Sequence, residues 1–244
     1  MHEASHGLTA KNITTNRIIG ILANLSMGIP ASASFKRYHM EHHRFQGEHI
    51  MDVDIPCDAE GWFFCSTPRK LLWCLLQPLF YSLRPMVVNP KAPTKWEFIN
   101  YAASFTFDLG IYAWAGGKGL AYLVFGTLLG MGLHPAAGHF ISEHYVMHTH
   151  QETYSYYGPW NWLTFHVGYH NEHHDFPFVT GKKLRIVRSI APEYYDDIPH
   201  YHSWIKVIYD YVMDSKISPY SRVKRVTLED KELEEIRNRG GLVK

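Results

Sequence analysis

The sequence predicts an all-α integral membrane protein in which a transmembrane hairpin carries a cytosolic, histidine-rich cap. Three observations predict it. Two apolar stretches face each other across a short glycine turn within about residues 98–133; basic residues gather on both flanks of this pair and almost vanish from its turn; and 17 histidines fall largely in repeated clusters.

The hairpin comes first because it organises the rest. "FINYAASFTFDLGIYAWA", 98–115, is mostly apolar, and after "GGKG" comes "LAYLVFGTLLGMGL", 120–133. At 1.5 Å per residue these reach about 27 Å and about 21 Å, so the first nearly crosses a hydrocarbon core of roughly 30 Å and the second does so if it continues through "HPAAGHF". Asn100 and Asp108 interrupt the first stretch. They keep open a second reading, two buried core helices of a soluble all-α protein. "LLWCLLQPLFYSL", 71–83, reads as too short and too proline-broken to span, hence interfacial or re-entrant. "RIIGILANLSMGIPASAS", 17–34, is weakly apolar, ends near Pro30, and is expected to lie along the membrane surface.

Charge orients the hairpin. Lys36, Arg37, Arg44, Arg69, Lys70, Lys91 and Lys95 precede it and Lys182, Lys183, Arg185 and Arg188 follow it, whereas the turn holds only Lys118. Both flanks are therefore placed on the cytoplasmic side. The whole chain carries 24 basic against 23 acidic side chains, which gives no electrostatic case for nucleic acid. Three cysteines, Cys57, Cys65 and Cys74, form no CxxC pair and are odd in number, which argues against a disulfide framework or a cysteine zinc site. No glycine-rich nucleotide fingerprint or P-loop is present, so a reduced nicotinamide would act through a partner.

Two crossings return the chain to the face it left, and the histidines lie before and after them. "HEASH" sets His2 and His6 at i, i+4; "HMEHH" sets His39, His42 and His43 at i, i+3, i+4; "HNEHH" repeats that spacing with His170, His173 and His174. On a helix each set shares one face. Eight imidazoles exceed the four ligands of a tetrahedral zinc and suit two metals of higher coordination number. Imidazole is compatible with iron, copper, nickel and zinc, so ligand type does not choose among them. Each box also holds one glutamate, Glu3, Glu41 or Glu172, placed to ligate or to orient the imidazoles from behind. For any single box the competing reading is a solvated histidine-rich turn.

The order HxxxH, HxxHH, HxxHH, with a membrane hairpin between the second and third boxes, resembles the membrane fatty acid desaturase and hydroxylase superfamily. The strings "SFKRYHMEHHRF", "DVDIP", "EGWFFC", "LQPLFY", "GHFISEHY", "ETYSYYGPWNWLTFHVGYHNEHHDFP" and "SWIKVIYDYVMDSKISPYSRVKR" closely resemble its sphingolipid delta-4 desaturase family, from His2 to about Arg225. The resemblance implies a desaturase domain over 1–225 followed by a charged tail, 226–244. It implies a non-haem di-iron enzyme of the endoplasmic reticulum membrane, multi-pass, with its histidine boxes facing the cytosol. Electrons would come from NADH or NADPH through cytochrome b5 reductase and cytochrome b5. The substrate would be dihydroceramide, dehydrogenated with dioxygen at C4 and C5 to give ceramide.

By the same resemblance the iron ligands are His2, His6, His39, His42, His43, His170, His173 and His174, joined by one more histidine from "GHFISEHY". His139 and His144 are five apart, about 140° around an ideal helix, so without a bulge only one faces the metals. His144 is preferred, beside Glu143 and nearer the cytosolic end, with His139 second. His49, His134, His148, His150, His166, His200 and His202 are read as ordinary polar or interfacial side chains. "KKLRIVRSI", 182–190, reads either as a basic interfacial helix meeting anionic lipid or cytochrome b5, or as a solvated helix face. "TYSYYGPWNW", 153–162, reads either as an aromatic belt at the membrane interface or as core.

The resembling proteins carry about two membrane spans ahead of the first box, whereas this chain opens on it, so an N-terminally truncated chain that holds His2 loosely is expected. Two other functions share these residues: hydroxylation at C4 of the same substrate, and a membrane scaffold that keeps the boxes to bind metal without turnover.

Overall fold

The computed structural model describes residues 1–48, 51–145, 147–148 and 151–223. His49, His150 and the tail 226–244 lie outside the described residues. Among those described, the chain is all-helical, and its β-structure is limited to an isolated bridge between Tyr156 and Tyr201. The helices are α1 His2–Ser5, α2 Ile13–Asn24, α3 Ser32–Arg44, α4 Asp58–Phe63, α5 Thr67–Val88, α6 Lys95–Gly132, α7 Gly138–His144, α8 Trp160–Leu163, α9 His170–Asp175, α10 Gly181–Ile190, α11 Trp204–Met213 and α12 Pro219–Val223.

The hairpin expected at 98–133 is the two limbs of α6. Thr94 caps it, its hydroxyl accepting from Trp96 N while the Glu97 carboxylate reaches back to Thr94 N at 2.9 Å. The break comes at Gly116, whose φ of 64° and ψ of −164° only glycine adopts without strain. Beyond it the chain reverses: a Cβ on Gly119 would lie 3.6 Å from the carbonyl oxygen of Ile111, whereas eight residues of straight helix span about 12 Å.

Asn100, which interrupts the apolar run, is a joint between helices. Asn24, fully buried at the end of α2, accepts from Ala31 N (2.8 Å) and Ser32 N (3.2 Å) and donates to Ile29 O (2.8 Å). Asn100 donates to Asn24 Oδ1 at 2.9 Å and accepts from Ala33 N at 3.0 Å. The two amides thus satisfy the free N–H groups that open α3, at a reversal where α2 and α3 meet at 113°. The stretch 17–34, expected to lie along the membrane surface, falls within this bent pair.

The segment 71–83, expected to be too short to span, is corrected by the structure. It belongs to one continuous helix of 22 residues, α5, with Pro78 and Pro85 inside it. Proline at 78 removes the hydrogen bond to the carbonyl four residues back, that of Cys74. The end of α6 packs there: a Cβ on Gly132 would stand 3.1 Å from both Cys74 O and Leu75 O, so any larger residue would push the two helices apart by a few tenths of an ångström. By length and composition α5 is the one described helix able by itself to cross a membrane; the count rises to three if the bent pairs α2 with α3 and α6 with α7 each form a span.

A core of Trp73, Cys74, Ile141, Tyr145, Val207 and Tyr211 binds α5, α7 and α11. Lys70, itself buried, ends α11 by donating to the carbonyls of Tyr211 (2.6 Å), Asp214 (2.6 Å) and Ile217 (2.9 Å).

Candidate metal centre

Four helices, α1, α3, α7 and α9, bring the histidines together. On α3 the i, i+3, i+4 spacing puts His39, His42 and His43 on one side. Helix α9 is too short to hold itself, and the segment before it does the holding: Glu172, wholly buried, accepts from Ser155 Oγ (2.6 Å) and Tyr157 OH (2.7 Å), and Ser155 Oγ accepts from Asn171 N (2.9 Å). Helix α1 is tied on both sides. Glu3 accepts from Gly181 N at 2.6 Å, and Ser5 O accepts from Lys36 Nζ.

The imidazoles divide into two groups. In the first, one nitrogen each of His2, His6, His39, His43 and His173 lie within 4.8 Å of one another. Their Nε2 atoms approach pairwise, His6 to His39 at 2.8 Å, His39 to His43 at 3.2 Å and His43 to His173 at 3.0 Å. The second holds His42, His144 and His174 within the same limit. His170 joins it, its Nε2 being 2.9 Å from that of His144, which is also 2.9 Å from that of His42. Neighbouring residues of α3, His42 and His43, link the groups, and the His43 and His174 rings stack at 4.3 Å.

This arrangement fits a pair of metal ions. Two imidazoles bound at right angles to one metal, each about 2.1 Å away, have nitrogens about 3.0 Å apart, close to the separations found. His174 Nε2 is buried without a hydrogen-bond partner and lies in the second group. Burial lowers most of these imidazoles toward the neutral form that metal binding requires, whereas at His42 burial is outweighed by Asp54 and Asp52, which raise it. Burial, followed by the Lys36 charge, lowers His6 to about 4, and burial with the neighbouring His2 and His43 drives His173 far below the usual histidine range.

Of the two candidates on α7, His144 lies in the cluster. His139 points elsewhere, donating from Nδ1 to Ala136 O at 2.6 Å and packing on Phe140 and Trp204. Among the box glutamates, Glu3 and Glu172 tie α1 and α9 to other segments, and Glu41 pairs with Lys91. Only Glu143 comes near an imidazole, with Oε1 3.7 Å from His170 Nδ1. His166 adopts a left-handed conformation beside Phe165 and lies in neither group.

The carboxylate that does grip an imidazole was not singled out from the sequence. Asp52 Oδ1 lies 2.8 Å from His42 Nδ1, and Asp54 Oδ2 lies 3.5 Å from the same atom. Burial pushes Asp52 up, but the hydrogen bond and charge of His42 outweigh it and hold the carboxyl at about 2. The signal was the pair of aspartates in "DVDIP", nine and eleven positions beyond the second box.

A family model described as fatty acid desaturase matches residues 1–205. The chain is 58% identical over 236 residues to sphingolipid delta(4)-desaturase DES1 of Xenopus tropicalis, covering 96% of this chain and 73% of that protein. It is 60% identical to the mouse protein of the same name, over 92% of this chain and 70% of the relative. Sphingolipid delta(4)-desaturase/C4-monooxygenase DES2 of Rattus norvegicus is 53% identical over the same shares. No solved structure matches. With the family model covering most of its length and the relatives agreeing at more than half of the aligned positions, the chain belongs to the fatty acid desaturase family.

Proposed function

We propose that the protein is a sphingolipid delta-4 desaturase that converts dihydroceramide to ceramide. One observation carries this reading: identity of 58–60% to proteins of that name extends over nearly the whole chain, and the boxes it includes converge on two groups of imidazoles. In the overall reaction two hydrogens leave C4 and C5, and dioxygen is reduced to two waters with two electrons and two protons from outside. The electrons would arrive from NADH or NADPH through cytochrome b5 reductase and cytochrome b5, since the chain has no nucleotide fingerprint of its own. We place the protein in the endoplasmic reticulum membrane, with the two limbs of α6 crossing out and back, α5 on the side of the boxes where it packs against α7 and α11, and the boxes facing the cytosol, in keeping with the basic flanks.

His2, His6, His39, His43 and His173 would hold one iron, and His42, His144, His170 and His174 the other. When bound, the iron pair supplies the activation of dioxygen needed to break an unactivated C–H bond. The chain's own residues do the rest. Burial lowers the imidazoles other than His42 toward the neutral form, Asp52 holds His42, and Glu172 with Ser155 and Tyr157 keeps α9 in register. Residues 1–225 would form the desaturase domain and 226–244 a charged tail.

A second reading is hydroxylation at C4, favoured by the 53% identity to a relative named for both activities. Expression in a desaturase-null cell fed isotopically labelled dihydroceramide separates the two by mass spectrometry. Labelled ceramide two mass units lighter is expected, and only the 4-hydroxy product would overturn the assignment.

A further inference from the structure

Asp52 lies outside every histidine box, yet its carboxylate is almost wholly buried, at 1% exposure. Three N–H groups converge on its two oxygens. Oδ1 accepts from His42 Nδ1 at 2.8 Å and from Asp54 N at 3.0 Å, and Oδ2 accepts from Gly47 N at 2.8 Å. An ionised carboxylate only accepts, so a ring proton of His42 sits on Nδ1, and in the neutral ring that a metal would bind the lone pair is on Nε2, the atom 2.9 Å from His144 Nε2. The loop that carries Asp52 is fastened from behind by Arg84 of α5. Its Nη1 donates to Val53 O (3.1 Å) and Asp54 O (3.3 Å), while Nε and Nη2 clamp the two oxygens of Glu60 at 2.7 Å each. Glu60 is held in turn by Trp73 Nε1, also on α5, at 2.9 Å.

We propose that Asp52 is a positioning residue that fixes the tautomer of His42 and aims its Nε2 into the second imidazole group, and that Arg84 braces Asp52 from α5. This rests on the two-metal reading above. The effect is confined to one metal, because among the described residues no carboxylate is hydrogen-bonded to His2, His6, His39, His43 or His173.

Asp52→Asn is a demanding probe because it keeps the size and loses one acceptor. If its NH2 replaces Oδ2 it opposes Gly47 N–H; if it replaces Oδ1 it opposes Asp54 N–H and His42 must move its proton to Nε2. The test is titration of the metal-free full-length chain with Co(II), wild type against Asp52→Asn and Arg84→Lys, with Glu193→Gln, an exposed carboxylate away from both groups, as the control. Imidazole 15N shifts of the metal-free protein are recorded alongside. Wild type should take two metals. Asp52→Asn should keep the first within about twofold and bind the second on the order of tenfold to a hundredfold more weakly, the usual effect of losing an outer partner of a ligand. With a neutral amide in place of the carboxylate, its His42 should lose the exclusive Nδ1–H tautomer and show a mixture of the two. Arg84→Lys should weaken the same metal, and Glu193→Gln should not. Two metals bound by Asp52→Asn with wild-type affinity would overturn the proposal; so would loss of both metals with the cooperative melt, which would assign Asp52 to the fold. Were wild type to bind fewer than two metals, the two-metal reading would fail on that arm, and the tautomer alone would judge Asp52: unchanged shifts would sink it and a mixture of tautomers would uphold it.

Discussion

At the scale of single residues, the cap depends on a buried cluster of imidazoles, most of them pushed toward the neutral form by burial. Removing one whose Nε2 has no other partner should remove a ligand without opening the fold, so His174→Ala should lower metal affinity at least about a hundredfold, beyond the effect of an outer partner. Equilibrium dialysis measures this, with helicity by circular dichroism as the check on folding. Burial also makes the metal-free cap sensitive to acid. His6 is lowered from 6.5 to about 4, so between those values the unfolded chain binds a proton that the folded chain does not. Stability therefore rises with pH across that window and is lost as pH falls. The melting temperature of the metal-free protein should drop between pH 7 and pH 5, and a flat profile would contradict the burial of His6. The boxes themselves were legible because their spacing is local, i to i+4. The partners of Glu3 and Asp52 were not, because Gly181 is reached across 178 positions and the His42 bond crosses a loop that no periodicity describes.

At the scale of elements, the two joints between the long helices rest on a close approach and on a pair of amides. Gly132 lets α6 meet the carbonyls of Cys74 and Leu75, and Gly132→Val should destabilise the protein by about 1–3 kcal/mol through overpacking. Asn100→Leu should cost about 1–3 kcal/mol, because Ala33 N–H loses its acceptor in a buried site. Thermal unfolding in detergent checks both, with Gly126→Ala as a control, since a Cβ there meets nothing within 4 Å. The glycine turn of α6 was readable because "GGKG" interrupts two apolar runs. The continuity of α5 was not, because proline ends a helix by local rules and is tolerated here where a neighbouring glycine packs onto the opened carbonyl. Asn100 was opaque in the same way: as a polar residue in an apolar run it kept a soluble core open as a second reading, and its role is visible only beside Asn24.

At the scale of the whole molecule, long helices and short ones divide the work. Helices α5 and α6 supply the apolar length, while α1, α3, α7 and α9 deliver imidazoles from four separated parts of the chain to one place. No one box makes a site; the groups form only because the hairpin returns the chain to where it started, and each group draws on more than one helix. The most direct measurement of this account is the metal content of the purified full-length protein by mass spectrometry, with Mössbauer spectra of an 57Fe-loaded sample. Two irons per chain, in two environments that lose intensity separately in His174→Ala and His6→Ala, are predicted. A single zinc per chain, or two irons that both disappear with either substitution while the fold persists, would contradict it.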